Sequence, residues 1–346
     1  MKIIFNKEDF CLCDVPVPKG YPQSQTHCGV AFMGDTILMT SSPYPNYKRN
    51  KYVIYFWAIL KKITFGLIGA SKIFRGEDFE NPCLYIEGKR KDGEEIPNRF
   101  ELLVGSPLMN KPFDKFGLGS YCSDPDVYVE GDTVYVLNRT TIRKSRTGSP
   151  KVDYETSIHL ISCKIDKNTI VDKVVTDLWK GHDVSPCICR YRGTYLYTSL
   201  VTNSYNDGKV CEALNIRTSD NIFKGWTEEK NVRVVSETYV PWHMSLFEYK
   251  GTLFSIIACI EKGVANRCWT MLGEFNRNLS ELKIYQTPLT DFKSYRSSAL
   301  VTKTGIFVLY NSIVNELIKG GKAVDGREIV VASKDFEKLL AELRSE

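Results

Sequence analysis

Residues 124–137 read DPDVYVEGDTVYVL, and this stretch decides the fold. Val127, Val129, Val134, Val136 and Leu137 flank Gly131-Asp132, so an apolar alternation of period two meets a tight turn and resumes. β-branched and aromatic residues alternating on both sides of a Gly-Asp turn spell a β-hairpin. Four more segments repeat the pattern: residues 27–35 (HCGVAFMGD), 185–193 (SPCICRYRG), 243–251 (HMSLFEYKG) and 297–305 (SSALVTKTG). Each carries an aliphatic residue three positions after its first, then a glycine-containing turn, then a second apolar strand. Self-similarity at long period is the signature of a radial repeat, in which each unit buries its faces against its neighbours.

The anchors from Asp124 onward are spaced for one four-stranded sheet each. The first interval is much longer, and the excess, roughly residues 46–115, is expected to be loops on the first blade. Pieces such as residues 158–165 (IHLISCKI) and 213–220 (ALNIRTSD), followed by Trp226-Thr227, read as further strands. Amphipathic helices do not alternate with the strands, which disfavours a doubly wound α/β fold. Only residues 334–344 predict a helix, with Phe336, Leu339, Leu340 and Leu343 at helical spacing. The expectation is an all-β chain: a single five-bladed β-propeller over residues 1–346, with an extended first blade and a short C-terminal helix.

The chain has 346 residues, 43% of them hydrophobic, enough for a real core, and a net charge of +5 spread without blocks of one sign. Lys61-Lys62 and Lys89-Arg90-Lys91 read as solvated loops, so no nucleic-acid partner is expected. Eleven cysteines, an odd number, include Cys187, Cys189, Cys259 and Cys268 in apolar alternating stretches, as buried reduced thiols do. Cys11-Leu12-Cys13 lacks the spacing and the second pair of a zinc site. Without a secretory leader or a membrane-spanning run, a cytoplasmic location and no membrane partner are expected.

Asp124-Pro125-Asp126-Val127, Ser185-Pro186, Trp242-His243, Tyr295-Arg296-Ser297-Ser298 and the pairing of Ser219-Asp220 with Trp226-Thr227 carry a resemblance. The aligned anchors resemble the five-bladed propeller glycosidases, the glycoside hydrolases of families 43, 32 and 117. The resemblance implies that the first residues of the inner strands meet at the mouth of a central funnel, around a sugar. It also implies Asp on blade one, Asp on blade two and Glu on blade three, the carboxylates that glycoside hydrolysis uses. Here only Asp124 keeps its acid; His27 and Ser185 stand at the other two positions. Asp183, two residues before Ser185, would share its face in a regular strand and is the expected displaced carboxylate. Family 117 uses a fourth-blade histidine as acid, which makes His243 the implied proton donor.

Three of the four histidines, His27, His182 and His243, lie on or beside anchors. Histidine titrates near neutrality, so such a cluster with Asp124 and Asp183 suits proton transfer or a bound divalent ion, whereas the plainer reading is hydrogen bonding inside a polar channel. Asp124, Asp183, His243 and His27 are therefore the expected catalytic residues, and Trp242, Arg296, His182 and Ser185 the expected substrate contacts. Trp242 suits stacking on a sugar or core packing; Arg296 suits a bidentate ligand contact or an ion pair with Asp124 that closes the ring. Glu80-Asn81-Pro82 and residues 42–45 (SPYP) stand as a pocket wall or as ordinary turns. No obligatory organic cofactor is expected; the resemblance implies calcium in the central channel of some relatives. The expected function is glycosidic-bond cleavage on a saccharide ligand. A non-catalytic glycan- or protein-binding propeller, or non-hydrolytic sugar chemistry in polysaccharide assembly, are the alternatives, and oligomeric state is left open.

Overall fold

A computed structural model describes residues 2–19, 21, 24–44, 59, 63, 80–90, 96–110, 120–143, 154–181, 183–201, 213–261, 268–290, 292–319 and 322–345. Short β1 (Cys11–Leu12) comes first. Antiparallel meanders follow: β2 (Gln25–Met33), β3 (Thr36–Pro43), β4 (Cys83–Glu87) and β5 (Phe100–Leu102); then β6 (Ser120–Glu130), β7 (Thr133–Arg143), β8 (Tyr154–Asp166) and β9 (Thr169–Lys180). The third holds β10 (Asp183–Tyr191), β11 (Thr194–Val201), β12 (Ala213–Ser219) and β13 (Lys230–Val235), and the fourth β14 (Tyr239–Tyr249), β15 (Thr252–Glu261), β16 (Cys268–Phe275) and β17 (Glu281–Ile284). The last contains β18 (Ser298–Val301), β19 (Ile306–Lys319) and β20 (Lys322–Asp335). Its fourth strand is β1, which pairs Cys11 with Val331 and Leu12 with Val330. Outer strands β13 and β17 pair in parallel, merging the third and fourth meanders into one eight-stranded sheet.

First strands of successive meanders touch in a closed cycle, β2 to β6, β10, β14, β18 and back to β2. Apolar layers fill the spaces between them. Leu38 and Leu84 of the first meander pack on Val127, Val134 and Val136 of the second. Leu137, Ile158 and Leu160 meet Ile188 and Tyr197 of the third. Val184, Cys187 and Leu200 meet Met244, Ile257 and Met271 of the fourth. Leu300, Val308 and Tyr310 of the last meander return to Cys28, Val30 and Met39 of the first. The alternation read in the sequence thus buries the inner strands of neighbouring sheets against each other, while the outer strand β9 remains largely exposed.

Helix α1 (Phe336–Arg344) begins where Asp335 accepts a hydrogen bond from the Lys338 amide at 2.9 Å, a side-chain N-cap. Phe336, Leu339, Leu340 and Leu343 are all buried, beneath β15 and β19. The segment 46–115 differs from expectation: β4 and β5 lie within it and complete the first meander. They are only five and three residues long and far from β3 in sequence, so no turn signal tied them to the hairpin. Most of the rest of that segment lies outside the described residues. Every described cysteine is free. No helix among the described residues is long and apolar enough to cross a membrane.

Candidate active site at the centre of the ring

The inner strands break register at the anchors. The first hairpins shift between Thr26 and Gly29, Ser123 and Asp126, Val184 and Cys187, and Pro241 and His243. Within the first three of these bulges, His27, Asp124 and Ser185 occupy the left-handed region, with φ of 56°, 55° and 52°. Three non-glycine residues in that region at equivalent positions represent strain of roughly 1–3 kcal/mol each, of a kind found where a bulge re-aims a side chain.

Here the bulges turn His27 and Asp124 toward each other across the ring axis. Nδ1 of His27 and Nδ1 of His243 each lie 3.4 Å from Oδ1 of Asp124. The imidazole rings meet edge to face, with centroids 5.0 Å apart, and Tyr295 stands 5.8 Å from both. His27, Asp124 and His243 are buried, at 4%, 0% and 3% exposure, so burial and the neighbouring charges, rather than water, set their ionisation.

The two carboxylate oxygens of Asp124 have different surroundings. Oδ2 faces the Arg139 guanidinium at 3.0 Å and accepts from the Ser185 amide and the Ser123 hydroxyl, each at 3.4 Å. Oδ1 makes no hydrogen bond, and neither do the two Nδ1 atoms that flank it. Burial alone would raise the Asp124 pKa, but Arg139, the two histidines and Arg296 together hold it below the usual carboxylate range. Burial pushes His243 down to about 4 and His27 well below the usual imidazole value, the Asp124 charge opposing the shift in both. At neutral pH the cluster is one fixed carboxylate and two neutral imidazoles.

Glu80 approaches the other side of His27, with Oε1 3.8 Å from Nε2. One imidazole therefore lies between two carboxylates. Farther out, the Arg327 guanidinium is sandwiched between the rings of Tyr44 at 3.5 Å and Tyr295 at 3.9 Å, and donates to Thr26 Oγ1 at 2.9 Å.

The remaining expected residues have other surroundings. The Asp183 carboxylate accepts from Trp179 Nε1 of β9 at 2.9 Å and from the Tyr197 hydroxyl of β11 at 2.7 Å, so it bridges the second and third meanders rather than facing Asp124. The register break at Ser185 explains this, because a bulge cancels the two-residue alternation that would align positions 183 and 185. Ser185 Oγ donates to the Met244 carbonyl at 3.0 Å and accepts from the Met244 amide at 2.9 Å, bridging β10 to β14. Arg296 is fully buried, with Nη1 donating to the Asp124 carbonyl at 2.6 Å and Nη2 2.9 Å from Asp126 Oδ1. It ties the last meander to the second, and its charge partner is Asp126 rather than the Asp124 side chain. Half-buried Trp242 sets its ring edge to face with His243 at 5.3 Å. His182 lies outside the described residues. Arg139 was not singled out in the sequence, and Glu80 stood there only as a wall or turn; the polar run Asn138-Arg139-Thr140-Thr141 closing an otherwise apolar strand was the available signal.

No protein-family model and no curated protein sequence matches the chain. Solved structures do, at the level of the fold. An N-acetylgalactosamine deacetylase from F. plautii, in complex with blood group B trisaccharide, matches with a TM-score of 0.66 at 12% identity, over 96% of each chain. A xylan β-1,4-xylosidase from Bacillus halodurans matches with a TM-score of 0.59 at 13% identity, covering 90% of this chain and 53% of the xylosidase. A β-1,2-mannobiose phosphorylase from Listeria innocua, bound to β-1,2-mannobiose, matches with a TM-score of 0.55 at 13% identity, over 100% of this chain and 96% of the other. The chain has the fold of the glycosidase-like propellers.

Proposed function

We propose that this protein is a carbohydrate-active hydrolase, built as one five-bladed propeller, that holds a sugar in its central funnel and hydrolyses a bond to it. The observation carrying this reading is the convergence of His27, Asp124 and His243, from three meanders, with Oδ1 and both Nδ1 atoms free of other hydrogen bonds. Three buried polar atoms aimed at one point are costly unless something polar meets them. A water, a sugar oxygen or a bound cation can supply that partner. With no ion in the corner, the Asp124 carboxylate, held below the usual carboxylate range, favours charge building up on a neighbouring imidazole as it draws a proton from the attacking water.

For a glycosidic bond the second carboxylate is Glu80, across His27, rather than Asp183, whose oxygen is occupied by Trp179 and Tyr197. Trp242 beside His243 offers an aromatic edge to the sugar. The fold likeness to a xylosidase supports a saccharide ligand.

A second reading, removal of an acyl group from a sugar, is favoured by the single carboxylate at the Nδ1/Oδ1/Nδ1 corner. Acyl hydrolysis needs one activated water and no acid on a glycosidic oxygen. The F. plautii neighbour is named a deacetylase. A panel of aryl glycosides, oligosaccharides and N-acetylated sugars separates the two, reducing ends marking glycosidase action and free acetate marking deacylation. Turnover that falls about 100-fold or more in Asp124→Asn is expected. Saturable sugar binding with no product from any substrate would replace the hydrolase by a binding propeller.

A further inference from the structure

We infer that Nδ1 of His27, Nδ1 of His243 and Oδ1 of Asp124 hold a first-row divalent transition-metal ion. This deepens the hydrolase reading and rests on it only for the ion's role, not for its binding. The three atoms all lie within 4.8 Å of one another. Each imidazole-to-carboxylate separation is 3.4 Å. An N–H···carboxylate hydrogen bond would draw that distance to about 2.7–2.9 Å. By contrast, metal bonds of about 2.0–2.2 Å in a tetrahedral site leave neighbouring ligand atoms about 3.4 Å apart.

The surroundings match what a metal ligand set needs. Oδ2 of Asp124 is committed to Arg139, Ser185 and Ser123, which fixes the carboxylate and leaves Oδ1 directed at the imidazoles. Glu80 faces Nε2 of His27, the place of the outer carboxylate that orients a ligating imidazole. The calcium implied by the family resemblance does not suit this corner, because calcium takes six to eight oxygen ligands and two of these three donors are imidazole nitrogens. Two imidazoles and one carboxylate suit zinc, manganese, iron or cobalt. Such an ion would lower the pKa of a bound water, so the imidazoles become ligands while the ion activates the water.

The test uses the full chain without an affinity tag, stripped by a chelator and dialysed against Zn2+, Mn2+, Co2+ or Ca2+, with metal content read by elemental analysis. The expected result is about one transition-metal ion per chain, and no comparable calcium. His27→Ala and His243→Ala are expected to weaken binding more than tenfold, and Glu80→Gln about tenfold. His159→Ala, on β8 against Asp177, is expected to leave binding unchanged. Should the central variants fail to fold, anomalous scattering from crystals of the unaltered protein soaked in Co2+ or Zn2+ decides, a peak among these three residues being expected. Absence of a peak there, calcium alone, or equal binding by the histidine variants overturns the site. An ion held in the corner with no sugar turnover keeps the site and counts against the hydrolase reading. Turnover by protein that binds no ion does the reverse.

Discussion

Nδ1 of His243 stands 3.4 Å from Oδ1 of Asp124, one residue on the fourth meander and the other on the second, and the closed ring brings them together. Asp183, by contrast, gives its carboxylate to Trp179 and Tyr197. The two aspartates should therefore respond differently to the same change. Asp124→Asn is expected to abolish most turnover, whereas Asp183→Asn should leave it within a few-fold and cost about 1–2 kcal/mol of stability through weakened hydrogen bonds. Parallel kinetics and urea unfolding of the two variants make the comparison.

Arg296 is expected to matter for folding more than for catalysis. Its guanidinium is fully buried and pairs with Asp126, itself buried and pushed up in pKa by that burial despite the arginine. Arg296→Met leaves that carboxylate without its cation and should cost about 3–5 kcal/mol. Adding Asp126→Asn should recover part of the loss, because the stranded charge is gone. Denaturation midpoints of the single and double variants give the answer.

Gly29 sits two residues after His27, where β2 passes close to β6. A Cβ there would lie 2.8 Å from Thr40 Oγ1 and 3.3 Å from both the Pro125 carbonyl oxygen and the Asp126 Cα. Gly29→Ala must push the two strands apart beside Asp124, and overpacking of this kind costs about 1–3 kcal/mol. A lower melting temperature with turnover lost in folded protein is expected, since the His27 to Asp124 spacing depends on that approach.

Acid should loosen the metal-free protein in two steps. His243 has a folded pKa of about 4 against the ordinary imidazole value of 6.5 for the unfolded chain, and His27 is also lowered, so between those values the unfolded chain binds more protons than the folded one. The stability from keeping these imidazoles neutral is complete above pH 6.5 and declines toward pH 4. Asp124 is also lowered, from 3.8, so its contribution is lost only below that value. Urea midpoints measured from pH 7 to 4.5 in chelator should fall, and His243→Gln should flatten the slope.

The hairpins at the five anchors were legible because each is a local event: alternation, a turn, alternation again. Strands β4 and β5 were not, being short and separated from their partners by long intervals. Nor was β1, whose two residues form a strand only because β20 offers an edge. Within the site, His27, Asp124 and His243 were legible as anchors with ionisable side chains. The placement of Asp183 was not, because regular alternation fails at a bulge and no residue type announced one there. Arg139 comes from a second strand and Glu80 from the segment before β4, positions that first-strand alignment does not reach.

The hydrolase reading is tested most directly by a crystal structure of the Asp124→Asn variant soaked with a sugar substrate found by turnover screening. The expected result is a sugar in the funnel, with the bond to be cleaved within hydrogen-bond reach of residue 124 and His243. A sugar bound elsewhere on the ring, with none of its atoms near His27, His243 or residue 124, would contradict it.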